Sequence, residues 1–577
     1  MPTVAPEHRA MPIERGVAPV WVDIDRALDE LHARKDSWVQ VSVEDRITIL
    51  AELRRGVAEI EERWVAASLE AKGLAPGGYG EGEERAYFAI LTRALRLLQQ
   101  ALRDIRDPGR PRIPGGLTVR PNGQVVARVL PASLYDRVVF PGMTGEVWIE
   151  PGLSIDDVVQ QQAAIYHAPV QSGRVALVLN SGNFGFLPVT DVLYKLFVAN
   201  EVVALKLHPM LAYLGPLFEE ALRALIGRGF LRVIYGDADI AGYLCSHPLV
   251  GTIHLTGSDT TFDTIMFGAG AEGAWRKAHH VPLIDKPVTA EPGNITPVVI
   301  VPGQWSDADL QRQATLLASA FIQNASYLCA TPRLIVQHRG WRQRDAFMAA
   351  FEQVLARIPT RRAYVPDARR KLDALLNTHP RARRIGRPGA DQLPWTVIPD
   401  LDPAVLGEQC FGRESLCPAI GETTLDAPDV ASFIARAVEF LNQRVWGTLV
   451  ATIVVHPRTL RDHHVRAAFD QAVSDLCYGT LTINSLAQHA VLAGLMPWGA
   501  FPGADVADIQ SGTGKMSNPL MLPHPQKSIL RGPFRPLAAP FLVDAHHVVE
   551  TSRALVQLEQ APSLWRLLRL MWPALRG

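Results

Sequence analysis

The spacing of apolar residues divides the chain into a helical first part, a short β-rich stretch and two long regions of alternating strands and helices. From Val22 to about Leu102, apolar residues recur every three or four positions, which predicts amphipathic helices. DPGRPRIPGG then ends the helices, because proline and glycine interrupt helical hydrogen bonding. The following LTVRPNGQVVARVL is typical of short strands, with PNGQ as a hairpin turn.

From Arg174 onward, short apolar runs of buried-strand length alternate with amphipathic helices. The runs RVALVLN, VVALKL, LRVIYG and VGTIHLTGS predict one parallel sheet, and MLAYLGPLFEEALRALIGRG predicts a single helix between two of them. A second unit follows, with strands at ITPVVIV, RLIVQ, TLVATIVV and GTLTIN. We therefore expect an α/β protein with two doubly wound domains. The region 497–540 is rich in Pro, Gly and Ser, and we expect it to wrap the surface.

Composition narrows the function classes. The chain has 577 residues, 48% of them hydrophobic, which suffices for two or three domains with large cores. Lys+Arg and Asp+Glu are both 58, so the formal net charge is zero, and a nucleic-acid partner is not expected. The cysteines are odd in number, widely spaced and without a CxxC pair, which favours a reducing cytoplasm over a disulfide framework or zinc ribbon. The adjacent histidine pairs are poor chelators, so no metal site is predicted.

The two ends of the chain bear on localisation. The N-terminus lacks the apolar core of a secretory signal, and no stretch approaches the roughly 18–20 apolar residues needed to cross a bilayer. The C-terminal LWRLLRLMWPALRG mixes Leu, Met and Trp with Arg, as an interfacial membrane helix does. We favour a helix docked on its own protein or on a partner subunit, because so short a helix needs tertiary support. Membrane association is accordingly not expected.

Cys329 is a candidate nucleophile. It stands in FIQNASYLCATPR, between a predicted helix and a predicted strand, and a thiolate in a loop on a rigid scaffold attacks carbonyl carbon well. A buried structural thiol is the alternative. Asn183, Lys206 and Glu291 follow other strands, where they could also be a turn residue, a surface lysine and a loop acid. Their common placement at strand ends favours one shared site.

Several motifs in this order resemble the aldehyde dehydrogenase superfamily, from about Leu28 to about Arg535. VALVLNSGNFG…LYKLFVANEVVALKLHP is similar to the family's asparagine loop, aromatic-lysine helix and lysine strand, and IHLTGSD to its segment against the cofactor. EPGNITPVVI resembles the general-base motif and NASYLCATPRLIV the cysteine motif, while FGRE and GTLTIN resemble two late motifs.

The resemblance implies an aldehyde-dehydrogenase-like fold of two doubly wound α/β domains, one for the cofactor and one for catalysis, with a β-strand arm that joins subunits. It implies Cys329 as nucleophile, Asn183 as oxyanion donor together with the Cys329 N–H, and Glu291 as general base. The NAD or NADP cofactor would contact Lys206, Pro209, Gly257, Ser258, Gln409 and Phe411.

The resemblance to the family also implies the domain boundaries. Residues 1–20 are predicted to form a flexible tail, and 21–116 with 172–290 the dinucleotide-binding domain. The oligomerisation arm comprises 117–171 and about 525–545. Residues 291–500 form the predicted catalytic domain, and 546–577 a C-terminal helical extension.

The motifs depart from the family pattern at several places. Ser326 and Tyr327 replace a Gly-Gln pair, which makes the wall beside Cys329 bulkier. Pro209 stands where many NAD-preferring members carry a glutamate on the adenosine ribose, so a 2′-phosphate meets less repulsion and NADP remains open beside NAD. Gln409 replaces a glutamate that grips the nicotinamide ribose, and an amide holds hydroxyls more weakly than a carboxylate does. The segment between Ser258 and Glu291 is also longer than usual.

These observations lead to one principal functional prediction and two alternatives. The principal one is NAD(P)-dependent oxidation of a small-molecule aldehyde to a carboxylic acid through a cysteine thiohemiacetal and a thioester. The first alternative is an acylating relative that passes the thioester to another thiol, or an acyl reductase. The second is a non-catalytic protein that kept the fold. A homodimer or homotetramer in the cytoplasm is expected.

Overall fold

The computed structural model describes residues 19–167, 172–536 and 542–574. The tail predicted for residues 1–20 lies, up to residue 18, outside the described residues. The α-helices in the described ranges are α1 (Pro19–Val39), α2 (Val43–Lys72), α3 (Tyr79–Arg106), α4 (Leu134–Val139), α5 (Ile155–Gln161), α6 (Leu187–Phe197), α7 (Gly215–Ala221), α8 (Arg223–Gly227), α9 (Ala238–Ser246), α10 (Asp259–Phe267), α11 (Gly270–Ala278), α12 (Asp307–Ile322), α13 (Arg344–Arg357), α14 (Ala368–Thr378), α15 (Gln409–Gly412), α16 (Val430–Arg444), α17 (His463–Asp475), α18 (Ala487–Ala493), α19 (Val548–Gln560) and α20 (Leu564–Ala574).

The strands of the same ranges form two large sheets and two short ladders. They are β1 (Leu117–Val119), β2 (Val125–Leu130), β3 (Thr144–Ile149), β4 (Val175–Leu179), β5 (Val202–Lys206), β6 (Leu231–Ile234), β7 (Thr252–Thr256), β8 (Val288–Glu291), β9 (Pro297–Ile300), β10 (Leu334–His338), β11 (Arg361–Arg362), β12 (Arg383–Ile385), β13 (Gln392–Leu393), β14 (Trp395–Leu401), β15 (Ala419–Leu425), β16 (Val450–Val454), β17 (Thr480–Ile483), β18 (Trp498–Gly499), β19 (Lys515–Met516) and β20 (Pro525–Arg531).

The first sheet has the order β6-β5-β4-β7-β8, and all its neighbouring strands are parallel. The chain moves outward from β4 to β6 and then returns to the other side of β4. The carboxyl end of β4 is therefore a topological switch point, where α/β sheets bind their ligands. The strand β4 is buried along its whole length, as the run VALVL predicts.

The second sheet has eleven strands in the order β1-β2-β3-β20-β17-β16-β9-β10-β15-β14-β12. From β20 to β14 the neighbours are parallel, whereas β1, β2 and β3 join β20 as antiparallel strands. The predicted PNGQ hairpin is confirmed, because β1 and β2 pair across it. The β-rich stretch is thus continuous with the second parallel sheet. The two sheets together confirm the predicted α/β fold class.

Local sequence signals account for the helix boundaries. Ser42 caps α2 by accepting a hydrogen bond from the Asp45 N–H, and Gly73 ends the helix at φ 63°, which glycine adopts without steric cost. Ser306 and Asp309 form a reciprocal capping box at the start of α12. This box fixes where the helix that leads to Cys329 begins.

Two expectations about chain segments are wrong. The predicted single helix of MLAYLGPLFEEALRALIGRG is divided into a 3-10 helix, Pro209–Leu214, and the short helices α7 and α8. Leu222, at φ −102° and ψ 15°, leaves helical geometry between them. The region 497–540 does not merely wrap the surface: residues 511, 512, 514 and 516 are buried beside β8.

The C-terminal helices dock on the chain's own first helices. Arg93 of α3 is buried and donates hydrogen bonds to Asp136 and to Glu559 of α19, each at 2.7 Å. Leu567 of α20 is buried as well, whereas Trp565 is 75% exposed.

Within the described ranges no helix is long and apolar enough to cross a membrane.

Candidate active site

Cys329 lies in a strained loop between α12 and β10. Asn324, Ala325 and Ser326 have φ values of 50°, 55° and 68°. Non-glycine residues in this left-handed region cost of order 1–3 kcal/mol each, so the surrounding structure must hold them in place. The buried Arg333 contributes to this, because its Nη2 donates a hydrogen bond to the Ser326 carbonyl at 2.7 Å.

Asn183 lies in the loop after β4 and is joined to the Cys329 loop. Its Nδ2 donates a hydrogen bond to the Tyr327 carbonyl, and its own carbonyl accepts one from Asn324 Nδ2 at 2.7 Å. An amide nitrogen carries two N–H groups, so one remains beyond the bond to Tyr327. Asn183 Oδ1 is buried without a hydrogen-bond partner among the described residues. The asparagine therefore both fixes the loop and keeps a donor.

Glu291 is the last residue of β8, and its side chain is buried. Its Oε1 atom has no hydrogen-bond partner within the described part of the chain. The segment from Ser511 to Lys515 lies alongside, because the N–H groups of Thr513 and Gly514 both donate to the Ala290 carbonyl. A Cβ atom added at Gly514 would lie 3.3 Å from Glu291 Cγ, so the backbone approaches the carboxyl closely.

The electrostatic environment of Glu291 favours its protonated form. Burial raises its pKa well above the ordinary value, the carboxylate of Asp191 raises it further, and Lys515 opposes both. Burial likewise raises the pKa of Asp191 to about 7 and lowers that of Lys515 to about 8. The protonated form is a carboxylic acid, which can donate a hydrogen bond but cannot accept a proton, so Glu291 must lose its proton before it can act as a base.

The thiol of Cys329 is also held protonated. The residue as a whole is half-buried, but its thiol is enclosed by protein, and this burial raises its pKa to about 12 with contributions from Glu414 and Glu291. Glu414 packs against the segment that follows Glu291, since a Cβ atom on Gly293 would lie 1.8 Å from Glu414 Oε2. Only a glycine at 293 permits this approach. Glu414 Oε1 is 3.8 Å from Arg333 Nε.

We predict that Glu414→Gln lowers the pKa of the Cys329 thiol. The amide removes a negative charge that disfavours the thiolate, and a shift of one pKa unit changes the thiolate fraction tenfold. Alkylation of Cys329 by iodoacetamide, followed against pH by mass spectrometry of the modified peptide, should become about tenfold faster at a fixed pH between 7 and 10. The exposed Glu439→Gln is the control, and an equal acceleration in both variants would contradict the assignment.

The residues predicted to contact the adenosine half of a cofactor lie at the end of β5. Lys206 is buried there, and burial lowers its pKa while Asp237 opposes the change. Pro209 is exposed at the start of a 3-10 helix. The ring of His208 fills the neighbouring space, because a Cβ atom on Gly182 would lie 2.3 Å from its Nδ1.

Gly257 and Ser258 connect β7 to α10. The Gly257 N–H donates to the Glu291 carbonyl at 3.3 Å, which ties this turn to the candidate base. Ser258 caps α10 by accepting from the Thr261 N–H at 3.0 Å. The free N–H groups of the first helical turn lie here, and such a terminus favours an anionic group.

Gln409 and Phe411 lie on the short helix α15. Gln409 is exposed and lines a cavity of about 370 Å³ together with Arg333, Lys371 and Glu414. Phe411 is buried instead, with its ring 5.1 Å from that of Phe440 in an edge-on arrangement. Gln409 can therefore reach a ligand in this cavity, whereas Phe411 mainly holds the helix in place.

The structure joins Asn183 to the Cys329 loop, couples Cys329 electrostatically to Glu291 and bonds Gly257 to the Glu291 carbonyl. The described contacts of Lys206 and Gln409 do not include these residues. Sequence reasoning missed Glu414, Asp191 and Lys515. Glu414 is the last residue of the FGRE motif, so that motif could have identified it as a candidate site residue. No local pattern marked the other two residues, because their effect arises only from burial beside Glu291.

One protein-family model matches part of the chain. The model of the aldehyde dehydrogenase family matches residues 159–369, which include Asn183, Lys206, Glu291 and Cys329.

Solved structures share the fold over nearly the whole chain. Aldehyde dehydrogenase C of Pseudomonas syringae, complexed with NAD⁺ and octanal, is 16% identical and superposes with a TM-score of 0.60 over 89% of this chain and 90% of its own. An aldehyde dehydrogenase of Mycobacterium tuberculosis, complexed with NAD⁺, is 17% identical with a TM-score of 0.59 over 88% of this chain and 89% of its own. The NADP-dependent glyceraldehyde-3-phosphate dehydrogenase of Bacillus halodurans, complexed with NADP, is 16% identical with a TM-score of 0.58, covering 89% and 91%.

Proposed function

We propose that the chain is a member of the aldehyde dehydrogenase superfamily and that it oxidises a small-molecule aldehyde to a carboxylic acid with NAD or NADP. The observation that carries the proposal is that Asn183 is hydrogen-bonded to the loop of Cys329, and that Glu291 at the end of β8 acts electrostatically on the Cys329 thiol. A nucleophile, an oxyanion donor and a base are the groups that this chemistry requires.

Each residue has a distinct role in the proposed reaction. Cys329, as thiolate, attacks the aldehyde carbon to give a thiohemiacetal. The remaining N–H of Asn183 and the backbone N–H of Cys329 stabilise the oxyanion, and one such donor is worth about 3–4 kcal/mol. Glu291, once deprotonated, activates the water that hydrolyses the thioester.

The residues around the switch point fit a dinucleotide. Lys206 at the end of β5 and the N-terminus of α10 at Ser258 supply a buried cation and free N–H groups. Gln409 would hold the ribose nearer to Cys329. When bound, NAD or NADP accepts the hydride from the thiohemiacetal carbon.

An acylating reaction is a second candidate, and the raised pKa of Glu291 favours it. A raised pKa reduces the fraction of Glu291 that can act as a base, so the thioester survives longer and can pass to a second thiol. Incubation with an aldehyde, either cofactor, and an added thiol such as coenzyme A separates the two reactions by product mass. Carboxylic acid as the main product supports oxidation, thioester supports acylation, and no cofactor reduction with any of a broad series of aldehydes contradicts both.

Cofactor preference gives a prediction at Pro209. Pro209→Glu places a carboxylate beside Lys206, where it can accept ribose hydroxyl hydrogen bonds from NAD and repels the 2′-phosphate of NADP. We expect the ratio of kcat/KM for NAD over NADP to rise about tenfold, which corresponds to about 1.4 kcal/mol. Pro209→Gln, of similar shape without the charge, is the control. An unchanged ratio in Pro209→Glu would refute the argument from the missing acid.

We propose a homodimer or homotetramer as the assembly. The antiparallel strands β1, β2 and β3 extend the second sheet outward, and Val119 on β1 is 54% exposed. An exposed edge of this kind is a ready surface for pairing between chains. The formal charge of zero offers no basis for nucleic-acid binding.

A further inference from the structure

We propose that His379, Glu408 and Cys410 form a binding site for a divalent transition-metal ion of the zinc class. His379 follows the end of α14, whereas Glu408 and Cys410 lie at the beginning of α15. One ligand atom from each, a ring nitrogen, a carboxylate oxygen and the Sγ, lies within 4.8 Å of the other two. Nitrogen, oxygen and sulfur in this combination are the donors that zinc prefers.

The histidine is already oriented for coordination. Its Nδ1 lies 2.8 Å from the carbonyl oxygen of Leu375, and a carbonyl only accepts hydrogen bonds, so Nδ1 carries the ring proton. The lone pair of Nε2 then faces Glu408 Oε1 at 3.1 Å. A backbone carbonyl that fixes the tautomer in this way is a usual outer partner of a metal-binding histidine.

The 3.1 Å between Nε2 and Glu408 Oε1 places two ligand atoms where one cation can bind both. A zinc-class ion would coordinate these two atoms together with the Cys410 Sγ and would displace the proton of the thiol. The two positive charges of the ion balance one thiolate and one carboxylate, so the occupied cluster is neutral.

The position of the cluster ties it to the candidate active site. Cys410 and Gln409 line the same cavity of about 370 Å³ as Glu414. An ion on His379, Glu408 and Cys410 would fasten α15 to the end of α14, and it would retain a fourth position for water. The proposed site would therefore hold the loop that leads to Glu414.

Cobalt binding tests the proposal without any enzymatic readout. The full chain is treated with a chelator, dialysed and titrated with Co²⁺, and the thiolate-to-cobalt charge-transfer absorption is followed. We expect one ion per chain. Cys410→Ser should abolish the absorption. In a competition titration, both Cys410→Ser and His379→Gln should lower the affinity for Zn²⁺ by at least roughly 10–100-fold, which is the cost of losing an outer partner. Cys477→Ser changes a half-buried cysteine outside the cluster, and it should keep both the cobalt absorption and the Zn²⁺ affinity of the wild type.

Three outcomes would overturn the site. These are no stoichiometric Co²⁺ binding by the wild-type chain, an absorption that persists in Cys410→Ser, and Zn²⁺ affinity that is equal in wild type and His379→Gln. Circular dichroism of every variant checks folding. If Cys410→Ser does not fold, the wild-type stoichiometry and His379→Gln decide the question alone.

Discussion

Cys329→Ser is expected to lower kcat/KM for aldehyde oxidation by about 10³-fold or more, because loss of a covalent nucleophile removes the step on which the others depend. A serine hydroxyl occupies nearly the same volume, but its proton is far harder to remove than that of the thiol. The loop of Ser326 should keep its shape, since its hydrogen bonds to Arg333 do not involve the sulfur. The measurement is cofactor reduction at 340 nm with the best aldehyde of the series, with either cofactor.

Cys477→Ser is the matched control for this variant. Cys477 is also half-buried, and it lies outside the site that joins Asn183 to Glu291. Its kcat/KM should stay within about twofold of wild type, since surface substitutions away from special features change little. Turnover by Cys329→Ser at the wild-type rate would disprove the covalent mechanism while leaving the fold untouched.

Glu291→Gln is expected to lower the rate of carboxylic acid formation by about 10²–10⁴-fold, the usual contribution of a positioned general base. The pKa of Glu291 is raised by burial and by Asp191, so its basic form becomes more abundant as the pH rises toward that raised pKa. Acid formation by the wild type should therefore rise with pH, up to tenfold per unit below that pKa. In Glu291→Gln the rise that is due to Glu291 should disappear.

Single-turnover experiments separate Glu291 from the thiol. Hydride transfer precedes hydrolysis, so the first turnover should still reduce one equivalent of cofactor in Glu291→Gln. A thioester on Cys329 should then persist long enough for detection by intact-protein mass spectrometry. Glu439→Gln, on an exposed face of α16, is the control. Undiminished acid formation by Glu291→Gln would assign hydrolysis to another base.

The positions of the candidate residues followed from local sequence, since a buried parallel strand and the loop after it have a recognisable pattern. Asn183 stands in the loop after VALVL and Lys206 at the end of VVALK, and both runs form buried strands, β4 and β5. The order of strands in the first sheet then brings these ends to one edge. Alternating strands and helices admit few other topologies, which is why the fold class was predictable.

The boundaries of irregular segments were harder to predict. The periodicity of residues 210–229 is helical throughout, but Pro216 and the non-helical geometry of Leu222 divide the segment. The region 497–540 has a composition typical of surface loops, yet its backbone N–H groups at Thr513 and Gly514 bond to the buried Ala290 carbonyl. Composition reports exposure only on average, whereas these contacts depend on a strand more than 200 residues earlier in the chain.

The amino-acid sequence by itself determined the two parallel sheets, the place of Glu291 at the end of a strand and that of Cys329 in the loop before one, because hydrophobic periodicity and short motifs are local properties. The tertiary structure alone decided the direction in which the pKa values of these two residues are shifted. Glu414, Asp191 and Lys515 come from distant segments, and their charges act on Cys329 and Glu291 only once the fold has buried them together. Electrostatic interactions depend on distance and burial in space, which no spacing along the chain records.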